Sequence, residues 1–212
     1  MPQKPRPQAS LLKQMTQTAF KLSLFVLIAV SLLTAVWLLT DEPIKQAEQR
    51  ALEQTLQQVM PASHYDNDLL TDTRTIVAPE ALGTNEPVTV YRARKNNQPV
   101  GLVIQAQTQQ GYSPNMQILV GINIQGKVLG VRVLEHSETP GLGDKIEPQK
   151  SDWIHSFQNK SLQSPPPEKW TVQKYGGAFD QFTGATITPK AVVEKVRDVL
   201  QLIEERGETL YE

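Results

Sequence analysis

The chain has 212 residues with 21 basic and 22 acidic side chains, a formal net charge of −1, and no cysteine. Near-neutral charge without a dense basic cluster argues against a nucleic-acid binder. The missing cysteines exclude disulfides, thiolate-held iron–sulfur clusters and thiol nucleophiles, so a redox role calls for an organic cofactor.

Residues 1–21 form a basic tail with Lys4, Arg6, Lys13 and Lys21 and no acid. Residues 22–39 then read LSLFVLIAVSLLTAVWLL without a charge. At helical rise they cover about 27 Å, close to the hydrocarbon thickness of a bilayer, so a transmembrane helix is expected over 22–40. A cleaved signal peptide has the same basic flank, but its apolar core is shorter, and Trp37-Leu-Leu-Thr-Asp-Glu42 offers no Ala-x-Ala site; the segment reads as an anchor. Basic residues before it and Asp41 and Glu42 after it predict a cytoplasmic N-terminus. The remainder is then exported, in a two-membrane bacterium across the inner membrane into the periplasm.

Residues 41–60 open with an acidic pair and Pro43 and place apolar residues at 44, 47, 51, 52, 56, 59 and 60, the pattern of a juxtamembrane amphipathic helix closed by Pro61. The exported domain is expected over 61–212, with 63–85 largely irregular. Two hairpins follow: strands at 88–94 and 100–106 flank Asn96-Asn-Gln-Pro99, and strands at 117–124 and 128–134 flank Gln125-Gly-Lys127. Residues 137–148 form a Gly- and Pro-bearing loop, 151–157 a short helix, 164–168 a stiff connection, and 170–175 a fifth strand. The last helix takes Thr188 as its cap and Pro189 in its first turn. It buries Val192, Val193, Val196, Val199, Leu200 and Ile203, and it stops at Gly207. Strands followed by a packing helix give an α+β domain with an antiparallel sheet.

Just before that helix stands Asp180-Gln-Phe-Thr-Gly-Ala-Thr186. Capping is the plain reading of its threonines. With Thr188 taken as the cap, however, helix initiation leaves Gly184-Ala185-Thr186 unexplained: small residues that admit a bulky group, and a hydroxyl where the helix field favours a phosphate. Thr186 is therefore a candidate for a phosphoester. A self-activated threonine nucleophile needs a base, and His64, His136 and His155 lie elsewhere in the sequence, so modification by another enzyme is the better reading.

Asp180-x-x-Thr183-Gly184-Ala185-Thr186 resembles the flavinylation motif Asp-x-x-Ser/Thr-Gly-Ala-Thr, at which a flavin transferase uses FAD to attach FMN through its phosphate to the last threonine. With Gly176-Gly-Ala-Phe-Asp180 and the following helix, it is similar to the FMN-binding domain of the G subunit of the Rnf (Rsx) electron-transport complex, related to the C subunit of the sodium-pumping NADH:quinone reductase. His136-Ser-Glu-Thr-Pro-Gly-Leu-Gly-Asp-Lys-Ile146 resembles a second family loop near the flavin; by composition alone it is a structural turn. Gly111-Tyr-Ser-Pro114 departs from the family's Gly-Tyr-Ser-Gly, which puts a backbone contact there in doubt.

The resemblance implies an electron-carrying subunit with FMN esterified to Thr186, partnered by the other Rnf/Rsx subunits, in a complex coupling ferredoxin and NAD to ion movement. Asp180, Thr183, Gly184 and Ala185 would be the segment read by the transferase, and Glu138, Thr139, Gly141, Leu142 and Gly143 flavin neighbours. No independent catalytic residue is assigned. Trp153, Trp170 and Tyr175 could stack on a flavin, but aromatics at such positions are more often core and none is assigned; His136 with Glu138 supplies too few ligands for a metal. A membrane-anchored sensor, adaptor or assembly module without flavin is the alternative.

Overall fold

The protein is described by a computed structural model covering residues 8–211. It divides into two compact units between Ala51 and Leu52. Helix α1 runs unbroken over Gln8–Val59. The expected anchor and juxtamembrane helix are thus continuous, with Pro43 inside the helix instead of at a start. Two i,i+4 pairs lie across the proline: Lys45 Nζ donates to Asp41 Oδ2 at 2.7 Å and Gln46 Nε2 to Glu42 Oε1 at 3.1 Å. The missing proline N–H is one bond among many in so long a helix. Leu22, Phe25, Leu33 and Leu39 are exposed, so the helix is apolar on all sides with no protein to cover it. Among the described residues it is the one helix long and apolar enough to cross a membrane, a candidate single-pass anchor. Residues 1–7 of the basic tail, with Lys4 and Arg6, lie outside the described residues.

The second unit is built on an antiparallel sheet in the order β1-β2-β3-β4-β5. Its strands are β1 (Thr73–Ile76), β2 (Val88–Lys95), β3 (Gln98–Thr108), β4 (Met116–Asn123) and β5 (Val128–Glu135). The hairpin strands stand where the alternating pattern puts them. Residues 63–85, expected to be irregular, contribute the edge strand β1 and a one-turn helix, α2 (Pro79–Leu82). What orders the stretch is non-local: Asp72 accepts Arg92 Nε at 2.6 Å and Arg94 Nε at 2.7 Å from β2.

Strand alternation gives the sheet two buried faces. Leu102, Ile104, Ile118 and Val120 belong to the cluster formed with the last helix; Val103 and Leu119 belong to the cluster formed with Leu56, Val59 and Met60. Gly121 and Gly130 are cross-strand partners on the second face. A Cβ at either would collide with the Val59 backbone. The absence of side chains there lets the end of α1 lie directly on the sheet.

Helix α3 spans Ile187–Tyr211 and buries every residue of the predicted valine–leucine–isoleucine stripe. Full burial of one such side chain is worth about 1.5–3 kcal/mol. Both predicted ends change. Thr186, not Thr188, precedes the helix, and its carbonyl accepts the Lys190 N–H at 3.3 Å. Gly207 does not stop it: buried Leu210 and the Arg94 Nη2 bond to the Tyr211 carbonyl, 2.9 Å, hold one more turn and outweigh the roughly 1 kcal/mol cost of an internal glycine.

The expected strand at 170–175 is absent. Trp170 is instead fully buried, its Nε1 donating to the Pro165 carbonyl at 3.0 Å and the Ser161 carbonyl at 3.3 Å, and Gln173–Tyr175 forms a 3₁₀ turn. Val172 makes only a single bridge, to Phe179. Anchoring a large indole from a loop overrides the strand propensity of this segment. The short helix expected at 151–157 is a 3₁₀ turn, Asp152–Phe157, capped by Ser151 Oγ.

Candidate functional site

Residues 180–186 form a turn displayed at the surface. Phe182 is its anchor, buried edge-on against Trp153 at 5.1 Å between centroids, while Trp153 Nε1 donates to the Asp180 carbonyl at 2.8 Å. Ala185 N–H closes the turn on the Phe182 carbonyl at 3.1 Å. Between them Gly184 has φ +83°, a value L side chains avoid. Asp180, Thr183 and Gly184 are exposed, and Ala185 and Thr186 half-buried. The conventional cap bond from Thr186 to the third helical N–H cannot form, because that residue is Pro189. Among the described residues no hydrogen bond holds the Thr186 hydroxyl. The N–H groups of Ile187 and Thr188 sit in the helix's first turn, where they lack an intrahelical acceptor.

The second loop is organised from inside. Glu138 is 5% exposed. Its Oε2 accepts the Thr188 hydroxyl at 2.5 Å and its Oε1 the Ser113 N–H at 3.1 Å. Its own N–H donates to His136 Nδ1 at 3.2 Å, which leaves the proton of a neutral ring on Nε2, facing Glu147 Oε1 at 3.2 Å. The Thr139 carbonyl accepts both Leu142 and Gly143 N–H at 3.1 Å. Gly143 packs on the carboxylate so closely that a Cβ there would stand 2.7 Å from Glu138 Oε2. Beyond it, the Gly141 backbone N–H, foremost, and Lys150 hold the Asp144 carboxyl below the usual carboxylate range, against the opposing effect of burial.

The two loops meet. One cleft of ≈ 410 Å³ is lined by Glu138, Thr139, Leu142 and Gly143 from one side, Gly184, Ala185 and Thr186 from the other, and by Tyr112, Ile187 and Thr188. Of the residues singled out in the sequence, Asp180, Thr183 and Gly141 lie outside its lining. Three lining residues had no sequence signal of their own: Tyr112 was visible only as a neighbour of Pro114, and Ile187 and Thr188 only as helix residues. One residue before Pro114, the Ser113 N–H donates to Glu138 Oε1 at 3.1 Å. A larger, more open groove of ≈ 970 Å³ lies along β5 and is lined by Arg132, His136 and Glu147. It holds none of the Asp180–Thr186 residues, so size does not make it the better candidate. Trp170 is core, Trp153 braces the 180–186 turn, and Tyr175 is exposed outside the ≈ 410 Å³ cleft.

The FMN-binding domain model matches residues 111–201, and the RnfG N-terminal region model matches residues 8–59. Three similar proteins each bear the name of the G subunit of an ion-translocating oxidoreductase complex. That of Shewanella baltica is 45% identical over 186 residues, 88% of each chain. That of Pseudomonas aeruginosa is 42% identical over 198 residues, 93% of this chain and 92% of its own. That of Yersinia pestis is 47% identical over 190 residues, 89% and 90% respectively.

Proposed function

The chain belongs to the family of G subunits of ion-translocating oxidoreductase complexes, and from that premise we propose that it carries electrons on an FMN joined through its phosphate to the Thr186 hydroxyl. The observation that supports this is the convergence of the 138–143 and 180–186 loops on one cleft with Thr186 in its wall. The residues fit the group. The ≈ 410 Å³ cleft lies within the roughly 300–1,000 Å³ of small-molecule sites, and its lining mixes apolar Leu142, Ala185 and Ile187 with a few polar groups. The Ile187 and Thr188 amides and the helix dipole suit a phosphodiester anion.

In the attachment step a flavin transferase acts on FAD. Thr186 Oγ bonds to the flavin-side phosphorus, the bond between the two phosphates breaks, and AMP departs as the hydroxyl proton is removed. The exposed Asp180-x-x-Thr183-Gly184 turn offers the transferase a segment to read. Bound there, FMN supplies reversible electron uptake and release. The chain's part is to tether it at high local concentration, with Thr186 fixing the phosphate end and leaving the ring free for a neighbouring carrier.

Residues 22–40 are the membrane-spanning part of α1, with 1–21 cytoplasmic, 41–60 juxtamembrane and 61–212 periplasmic at the inner membrane. The partners are the lipid bilayer and the other subunits of an Rnf/Rsx complex that couples ferredoxin and NAD to ion translocation. The test is a denaturing gel of full-length protein made with an active transferase. Wild type gives a fluorescent flavin band and Thr186→Val gives none; a dark wild-type band would leave the flavin-free sensor or adaptor instead.

A further inference from the structure

Two side-chain hydrogen bonds tie the 180–186 turn to the segments before it. The Lys174 N–H donates to Gln181 Oε1 at 3.1 Å, and the Trp153 indole Nε1 donates to the Asp180 carbonyl at 2.8 Å. The second of these restrains the backbone of the residue that opens the Asp180-x-x-Thr183-Gly184 segment. An apolar tie joins it: the Phe182 ring stands edge-on to the same Trp153, 5.1 Å between centroids. One residue, 27 positions upstream of Asp180, thus holds the turn both at its first peptide and at its buried anchor.

Trp153 is itself fixed from the sheet side. Ser151 Oγ accepts its backbone N–H at 3.1 Å, which starts the Asp152–Phe157 turn, and its ring meets Phe157 edge-on at 5.3 Å. That turn packs on β5. At 8% exposure Trp153 is out of reach of another enzyme, whereas Asp180 and Thr183 stand in solvent with no hydrogen bond on either side chain among the described residues. The indole therefore leaves the side chains to be recognised free and restrains the backbone that carries them. Core packing alone asks only for a ring; the N–H given to this one carbonyl is what a phenylalanine lacks.

We propose that Trp153 is a positioning residue for flavinylation: through the Asp180 carbonyl and Phe182 it holds the acceptor turn in the shape the transferase takes, and so sets the apparent affinity of the transferase for this chain. This rests on the attachment of FMN at Thr186. A turn that samples other shapes is bound less tightly in proportion to the fraction in the competent one, while the chemistry after binding is unchanged. Losing one hydrogen bond of ordinary net strength lowers that fraction roughly 2- to 10-fold. The cost falls on kcat/KM through KM for the chain, and not on kcat.

The test uses the full-length chain in detergent with purified transferase and FAD. Initial rates of flavin-band formation against chain concentration give KM and kcat, and hydrogen–deuterium exchange of the unmodified chain reports the order of the 180–186 amides without any flavin. Trp153→Phe keeps a ring against Phe182 and deletes the donor. It is expected to raise KM roughly 2- to 10-fold, with kcat within about 2-fold of wild type, and to speed exchange in the 180–186 peptide. A benzothiophene isostere placed at position 153, with the indole's shape but no N–H, is expected to do the same without a packing defect. Ile104→Val, in the buried part of β3, is the control for lost stability and is expected to change neither KM nor that exchange. A wild-type KM with the isostere, or a KM increase matched by Ile104→Val, overturns the positioning role and leaves the Thr186 linkage standing. A wild-type chain that never acquires the band removes the linkage and the role together.

Discussion

The two loops that meet at the cleft are built in opposite ways. The 180–186 turn shows Asp180, Thr183 and Gly184 to solvent and is held by backbone geometry and one buried phenylalanine. The 138–143 loop folds around a buried carboxylate whose two oxygens reach two other elements. A segment that an external enzyme must read and modify has to present its side chains and keep a hydroxyl unengaged. A segment that must hold geometry does the reverse. Chemistry at the first loop is therefore separable from stability, and at the second it is not.

The sharpest way to break that contrast is Thr186→Val, which is expected to abolish covalent flavin while costing less than about 1 kcal/mol in denaturant unfolding, since no bond to the hydroxyl is lost. A large stability loss would show that the turn is structural after all. Glu138→Ala is expected to show the opposite balance: the Ser113 N–H and Thr188 hydroxyl lose their acceptor, costing about 2–3 kcal/mol, with flavin still attached.

Gly143→Ala sharpens the same point through coupling. Its new Cβ meets Glu138 Oε2 at 2.7 Å, Glu138 Cβ at 2.9 Å and Thr188 Oγ1 at 3.0 Å, an overpacking cost of about 1–3 kcal/mol of which the Cβ contact persists in any residue 138 variant but glycine. In the Glu138→Ala background the carboxylate is gone, so the same change should cost less, and a double-mutant cycle measures the difference. Equal costs in both backgrounds would mean that the clash is with the Cβ of residue 138 and Thr188, not with the carboxylate. Asp180→Asn and Thr183→Val, both exposed, are expected to stay within about 0.5 kcal/mol of wild type and to slow flavinylation, seen as band intensity against time with the transferase.

What could be read from the sequence divides along the same line. The α3 stripe, the paired hairpins and the apolar span follow from periodicity, and they stand in the fold as local rules predict. Read from the sequence, Gly184 gives clearance for a bulky group; its φ of +83° adds a backbone need that reading does not name. Several of the failures are non-local. β1 depends on Asp72 finding Arg92 and Arg94 some twenty residues on. The segment 170–175 depends on a cavity that accepts Trp170, and the last turn of α3 on Arg94. The hub at Glu138 was invisible for the same reason: its partners Ser113 and Thr188 lie 25 and 50 residues away and carry no pattern.

The smallest expected effect concerns the far end of the inward-built loop. Asp144 has its carboxyl pKa lowered chiefly by the Gly141 backbone N–H. A folded-state pKa below the unfolded value, about 3.9, means that the carboxylate's contribution to stability is complete well above pH 4 and disappears as pH falls through the folded value. Lys150 is half exposed, so salt screens its share of the effect while the backbone share persists. Wild type and Asp144→Asn should therefore separate in denaturant unfolding at neutral pH and converge below about pH 4. A gap that stayed constant through this range would exclude ionisation of Asp144 as the source.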